Sequence, residues 1–131
     1  MPWTSTEFQV STSDGRNFTL LSPVAYFTNI HDCLEKLVIP EGTESDGASI
    51  PELCWIIPGF APFGLHWRAA VLHDALYRGG LGFMWKREEC DGIFLEAMIS
   101  SGVELNHANT IYNAVREFGQ AAFDRDRNAK P

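Results

Sequence analysis

Hydrophobic and polar positions divide the chain into three stretches with different periods. Between Asn17 and Pro40, short runs of β-branched, aromatic and leucine residues are interrupted by Ser22-Pro23 and by "NIHD" at 29–32. Such runs predict two or three short strands, antiparallel and joined by turns. We therefore expect the domain to open with a small sheet.

Residues 41–64, "EGTESDGASIPELCWIIPGFAPFG", hold too much glycine and proline for a regular element. We predict a long structured loop, and long loops inside compact domains are often functional. Within it, "LCWIIPGFAPF" at 53–63 is more apolar than a solvated loop. This segment is either core that closes one end of the sheet or an exposed patch that meets a partner or a lipid surface.

After Gly64 the spacing of apolar residues becomes helical. A first helix is predicted after Gly64, with Gly79-Gly80 as its stop. The residues that recur there at three- and four-residue spacing are Trp67, Ala70, Val71, Asp74 and Tyr77. A second is predicted from Lys86 to Ser100, ending at Gly102. Its apolar stripe consists of Ile93, Phe94, Ala97 and Met98.

A third helix is predicted to start near Asn106 and can continue past Gly119 to Phe123. Its apolar positions are Ile111, Val115 and Phe118. The charged tail at 124–131 is expected to fray. The predicted architecture is a single α+β domain over residues 1–131, with a small antiparallel sheet followed by a long structured loop and two to three helices.

Composition narrows the choice of function. The chain has 131 residues, of which 45% are hydrophobic, enough for one soluble domain with a real core. Seventeen acidic and ten basic residues give a formal charge of −7, which disfavours nucleic acid as a partner. The first residues, "MPWTSTEFQV", do not resemble a signal peptide, and no run approaches the roughly 18 apolar residues of a membrane span.

Cysteine usage gives only a weak indication of a metal site. Cys33, Cys54 and Cys90 are odd in number and have no C-x-x-C spacing, so free thiols are the simplest interpretation. Together with His31 and His66 they could form a zinc site on paper. No pair of them has ligand spacing on a common turn, so we give this site little weight.

The stretch "AAVLHDALYR" at 69–78 places His73 and Asp74 inside an otherwise apolar helix. One interpretation is chemical: His73 takes a proton from water while Asp91, on an antiparallel second helix, fixes its tautomer, and Asp74 holds a cation. The other is structural. A core His bonded to a core Asp is common, and Asp74 can pair with Arg78 one turn later.

The loop segment "SDGASIP" at 45–51 also has two interpretations. Asp-Gly is a turn signal, Ser49 can bond locally and Pro51 fixes the exit, which together describe a rigid loop. Alternatively, Asp46 and backbone carbonyls near Gly47 supply oxygen ligands to a hard cation shared with Asp74, and calcium suits such ligands. The spacing does not match an EF-hand.

Four ordered blocks resemble a known family. They are "VIPEGTESDGASIPEL", "AAVLHDALYR", "KREECDGIFLEAMISSGV" and "IYNAVREFG", which extend from Val38 to Gly119. The chain is similar over this range to family 1353 of the domains of unknown function, found in phages and prophages. This resemblance implies a bacteriophage or prophage origin and no established activity.

A fainter resemblance is to bacterial phospholipases of the A-two class, from the order "DGAS", "HDALYR" and "CDGIFLEAM". It implies that His73 activates water, that Asp91 orients His73 and that Tyr77 closes the hydrogen-bond network around Asp91. It also implies that Asp74 binds calcium with carbonyls near Asp46 and Gly47. The usual disulfides cannot form here, and the glycine-rich calcium loop of the animal enzymes is absent.

Two functional hypotheses follow from these resemblances. The first is a non-catalytic phage accessory protein of the tail, baseplate or capsid, whose partners are other phage structural proteins. The second is a calcium-dependent phospholipase-like or other envelope-degrading hydrolase, used in host entry or lysis, which acts on host membrane lipid. Either protein is expected in the virion or in the host cytoplasm during infection.

Overall fold

Strands precede helices in the computed structural model, which describes residues 3, 10–12, 18–45, 67–79, 81 and 85–128. The strands are β1 (Val10–Thr12), β2 (Phe18–Leu20), β3 (Val24–Thr28), β4 (Glu35–Ile39) and β5 (Glu44–Ser45). The helices are α1 (Trp67–Tyr77), α2 (Arg87–Ser100), α3 (Leu105–Phe118) and α4 (Gln120–Asn128). This arrangement confirms the predicted α+β class.

The strands form two small antiparallel sheets in the described part of the chain, where the sequence pattern predicts one. The first has the order β1-β2-β5, and the second is the hairpin β3-β4. β1 and β5 were not predicted because they have only three and two residues. Elements this short are below the length at which alternation of apolar and polar residues can be recognised.

The β3-β4 hairpin buries one of its two faces. The pairing of residues between the strands shows which side chains lie on that face. Val24 pairs with Ile39 and Tyr26 with Leu37, and all four side chains are buried. The opposite face of β4 carries Lys36 and Val38, which are exposed, as the alternation of a strand requires. The hairpin therefore closes the core on one side only.

Helix α1 lies at the centre of the domain. All its residues are buried except the half-buried Arg68, and a helix that is buried on every side is a core helix. At its start, Trp67 packs edge-on against Phe18 of β2, with ring centroids 4.8 Å apart. It ends at Gly79, whose φ of 79° is the left-handed conformation that glycine adopts easily.

Helix α2 begins at Arg87, one residue after the predicted start, and ends at Ser100 as predicted. Its predicted apolar stripe is fully buried. At its start, the Glu89 carboxylate accepts the backbone N–H of Lys86 at 2.8 Å, one half of a capping box. At its end, the Val103 N–H donates to the Met98 carbonyl and the Gly102 N–H to the Ile99 carbonyl. With φ of 95° at Gly102, these bonds form a Schellman motif.

The third predicted helix is two helices that meet at Gly119. Ile111 and Val115 are fully buried as predicted, whereas Phe118 is 63% exposed, so its assignment to the core was wrong. The tail that was predicted to fray begins inside α4, which extends to Asn128. Helix α4 is held by Phe123, which packs edge-on against Tyr77 with centroids 5.1 Å apart.

Gly119 offers a test of how tightly α3 and α4 pack on α1. A Cβ at this position would meet the Val115 carbonyl oxygen, Tyr77 Oη at 3.0 Å and Arg87 Nη1 at 3.2 Å. We expect Gly119→Ala to lower the free energy of unfolding by about 1 to 3 kcal/mol in urea denaturation, because the crowded groups must move. The exposed Gln120→Ala serves as control, with a change within about 0.5 kcal/mol. Equal stabilities of the two variants would contradict this packing.

Candidate functional site

The site centres on the carboxylate of Asp91, which is fully buried on α2. Its Oδ1 atom accepts two hydrogen bonds from α1: His73 Nε2 donates at 2.7 Å and the Tyr77 hydroxyl donates at 2.6 Å. These contacts confirm the prediction that His73 and Asp91 lie within hydrogen-bonding reach. The Tyr77 hydroxyl is the second donor to the same oxygen.

Two arginines hold the other oxygen of Asp91. Arg116 Nη1 on α3 donates to Oδ2 at 2.7 Å, and Arg87 Nη1 on α2 lies 3.3 Å from the same atom. A buried carboxylate needs such partners, because an ionised group that is removed from water without them costs several kcal/mol. Asp91 therefore accepts donors from three helices.

Arg87 also binds backbone carbonyls at the end of α3. Its guanidinium donates to the carbonyls of Val115 at 3.2 Å and of Arg116 at 3.0 Å. Carbonyls in the last turn of a helix have no partner within the helix, and a cation at that end is favoured by the helix dipole. The same side chain thus fixes the end of α3 and neutralises Asp91.

His73 sits in an aromatic environment and has no exposed surface. Its ring packs against Tyr77 and Phe94, with centroids 4.1 Å and 4.6 Å away. Because a carboxylate can only accept, the bond to Asp91 places a proton on Nε2. In the neutral ring, Nδ1 is then the nitrogen able to take a proton.

The electrostatics of the site favour an ionised Asp91. Burial acts to raise the pKa of this carboxyl, but the hydrogen bond and charge of His73, together with the hydrogen bonds from Tyr77 and Arg116, outweigh it and lower the pKa. Burial and the contact with Asp91 raise the pKa of the Tyr77 hydroxyl. Tyr77 is therefore a hydrogen-bond donor that does not ionise near neutral pH.

Asp74 is fully buried on α1, one residue after His73. Its Oδ2 is 3.4 Å from Arg78 Nη2, the pairing that the structural interpretation expects. Arg78 also donates to the Glu44 carbonyl at 3.1 Å. Asp74 is thus linked through one side chain to the strand that ends next to Asp46.

The calcium ligands predicted with Asp74 cannot be placed. Asp46 and Gly47 lie outside the described residues, as does Ser49 of the same loop segment. In the part of the chain that the structure describes, no group of three or more His, Cys, Asp or Glu side chains could hold a metal ion. A guanidinium next to Asp74 also disfavours a divalent cation, so the described residues alone do not fit calcium.

The described residues do not form the zinc site that was considered from the cysteines with His31 and His66. Cys33 is exposed and Cys90 is buried. His31 is occupied with two glutamates, Glu35 and Glu89. Cys54 and His66, like the apolar segment at 53–63, lie outside the described residues.

Sequence reasoning missed both arginines. Arg87 lies four residues before Asp91 on the same helix, and the i,i+4 pairing rule could have found it. Arg116 reaches Asp91 across 25 positions of sequence, and nothing local in "YNAVREFG" indicates that contact. Its role depends on how α3 packs against α2.

Comparison with known families gives a match to a family described as protein of unknown function, DUF1353, over residues 18–115. The chain belongs to the DUF1353 family. The match starts before the blocks that carry the resemblance, so it includes β2 and the β3-β4 hairpin as well as the His73 and Asp91 helices. Comparisons of this DUF1353 chain with curated proteins and with solved structures find no match.

None of the helices in the described part of this DUF1353 protein has the length and apolar character needed to cross a membrane. The longest, α2 and α3, have 14 residues each. A span needs about 20 apolar residues.

Asp91→Asn tests the network directly. The amide keeps the shape but removes the charge that balances Arg87 and Arg116, so we expect a loss of about 3 to 5 kcal/mol in the free energy of unfolding. The exposed Asp124→Asn is the matched control and should stay within about 0.5 kcal/mol. A tolerated Asp91→Asn would show that the carboxylate charge does not stabilise the fold.

The stability should also depend on pH through Asp91. Because its pKa is lowered in the fold, its contribution is present above the ordinary aspartate pKa and is lost as pH falls through the lowered value. Urea denaturation of the wild type from pH 6 downward should therefore show an acid-side loss of stability. That loss should be smaller in Asp91→Asn. If the free energy of unfolding falls equally with pH in the two proteins, the acid-side loss does not come from Asp91.

Proposed function

We propose that this chain is a phage- or prophage-encoded accessory protein of the virion, in the tail, baseplate or capsid, and that its His73–Asp91 site is structural. The phage origin is supported by the resemblance that the four ordered sequence blocks carry. The structural role is supported by one observation above all. Both oxygens of Asp91 are occupied by donors from three different helices.

This arrangement suits a residue that holds helices together better than a catalytic residue. Asp91 joins α1 to α2 through His73 and Tyr77, and α2 to α3 through Arg116. A catalytic carboxylate that must stabilise a forming imidazolium works best when its charge is not already balanced. Here two guanidinium groups balance it before any reaction starts.

The burial of His73 supports the same conclusion. The ring has no exposed surface, and Tyr77 and Phe94 pack on it. A lipid ester could reach Nδ1 only if surrounding side chains moved. A histidine that bonds a buried carboxylate inside a packed core is adequately explained by stability.

An envelope-degrading hydrolase, phospholipase-like or of another type, is the second candidate. It is favoured by the bond from His73 Nε2 to Asp91 at 2.7 Å with Tyr77 on the same oxygen, because a base of this type needs its far nitrogen fixed by an acceptor. In that role His73 would take a proton from water at Nδ1, Asp91 would orient the ring, and Tyr77 would orient Asp91. The calcium that this class implies would need Asp74 and residues near Asp46.

Mass spectrometry of purified particles tests the virion assignment. The particles would come from a host that carries the phage or prophage, and the cleared lysate would be analysed in parallel. We expect the protein in the particles at a fixed ratio to a known structural protein. Abundant protein in the lysate together with none in the particles would contradict the proposal.

A second experiment separates a structural His73 from a catalytic one. His73→Gln keeps an N–H donor for Asp91 but cannot act as a base, so the structural role predicts a folded protein with unchanged incorporation into particles. Phospholipid release would be assayed for wild type, His73→Gln and Asp74→Asn, with calcium titrated by calorimetry. We expect no release and no calcium binding at millimolar concentration. Release that both variants abolish, with calcium binding lost in Asp74→Asn, would establish the hydrolase instead.

A further inference from the structure

A second cluster of ionisable side chains lies at the tip of the β3-β4 hairpin, away from Asp91. His31 in the turn bonds Glu35 of β4 through Nδ1 at 2.7 Å and Glu89 of α2 through Nε2 at 2.5 Å. Its ring is stacked on Trp85, with planes 3° apart and centroids separated by 5.6 Å. The imidazole therefore joins the β3-β4 hairpin to the segment 85–89 at the start of α2.

The geometry determines the charge state of this ring. A carboxylate accepts hydrogen bonds and does not donate them, so each nitrogen of His31 must carry a proton to bond its glutamate. A neutral imidazole has only one N–H and can satisfy only one of the two. The closed arrangement therefore requires the imidazolium form of His31.

The same contacts attach the hairpin tip to one face of α2. Next to Glu89 on this face, Gly92 leaves room for Ile30, whose Cδ1 would lie 2.6 Å from an added Cβ. One turn further, Glu96 accepts the Tyr26 hydroxyl at 2.8 Å and the Asn29 backbone N–H at 3.1 Å. His31 is the member of this row that titrates closest to neutral pH.

We propose that His31 is the pH-sensitive element of a latch that holds the hairpin tip on α2, closed when the ring is protonated and released when it is neutral. Release would free Glu89 from the hairpin and uncover the half-buried Ile30 and the buried Trp85. The inference does not depend on whether His73 is structural or catalytic, because it uses different residues.

The charged groups around the latch determine the pH range in which it is closed. Glu35 comes from β4, Glu89 and Lys86 come from the start of α2, and Asp32 is the next residue of the turn. The hydrogen bonds to Glu89 and Glu35 raise the pKa of His31. The stabilisation is therefore complete below the ordinary histidine pKa and is lost as pH rises through the raised value.

An acid limit follows from Glu89. The backbone N–H of Lys86 and the hydrogen bond from His31 lower the pKa of its carboxyl, although partial burial opposes this. Its contribution is lost only as pH falls through that lowered value. The latch is thus closed across mildly acidic pH, and it opens as pH rises through the raised pKa of His31.

Hydrogen exchange at Asn29 measures the latch in the full chain, because its amide is bonded to Glu96. The exchange rate, corrected for the intrinsic effect of pH, would be followed from pH 5 to 9 with a reductant present for Cys33. We expect protection of Asn29 to fall as pH rises through the His31 midpoint observed by NMR. Protection that does not change across that midpoint would overturn the proposal.

Variants separate the latch from a general loss of structure. His31→Arg keeps a cation between the glutamates and should retain protection at high pH, whereas His31→Gln should show low protection at every pH. Glu35→Gln should move the His31 midpoint downward, and it is preferred to a change at Glu89, which also caps α2.

His107→Gln on α3 is the matched control and should behave as wild type. Identical profiles for wild type and His31→Gln would also reject the latch.

Discussion

The fold depends on how one negative charge is held inside the core. Asp91 has no contact with solvent, and burial of an ionised carboxylate is tolerated only when hydrogen bonds and opposite charge compensate for the lost hydration. The compensation comes from α1, α2 and α3 together, so the three helices must adopt one relative position for the carboxylate to be satisfied. Apolar packing alone would allow more freedom.

Helix α2 carries a different kind of interaction on each of two faces. Toward the core it presents Asp91 with Ile93 and Phe94, which are fully buried. Toward the hairpin it presents Glu89 and Glu96, whose partners are a histidine and a tyrosine. The core face is insulated from water, whereas His31 remains partly exposed, so only the outer row responds directly to the solvent.

The sequence predicts most of the helices and the contact between His73 and Asp91 at the centre of the site. Helical spacing located α1 and α2 and placed His73 opposite Asp91, because residues on facing helices follow from short connections and apolar stripes. It did not find Arg116 or the contacts of His31, since these join segments that are distant in sequence. Phe118 misled the prediction because helical spacing cannot tell where one helix ends and the next begins at Gly119.

The network around Asp91 restricts how relatives of this protein can diverge. If Asp91 alone becomes apolar, Arg87 and Arg116 remain as two cations that no longer have their buried counter-charge. If either arginine is lost first, the carboxylate is left poorly neutralised. Substitutions at these three positions are therefore expected to occur together across the family, or to pass through intermediates of low stability.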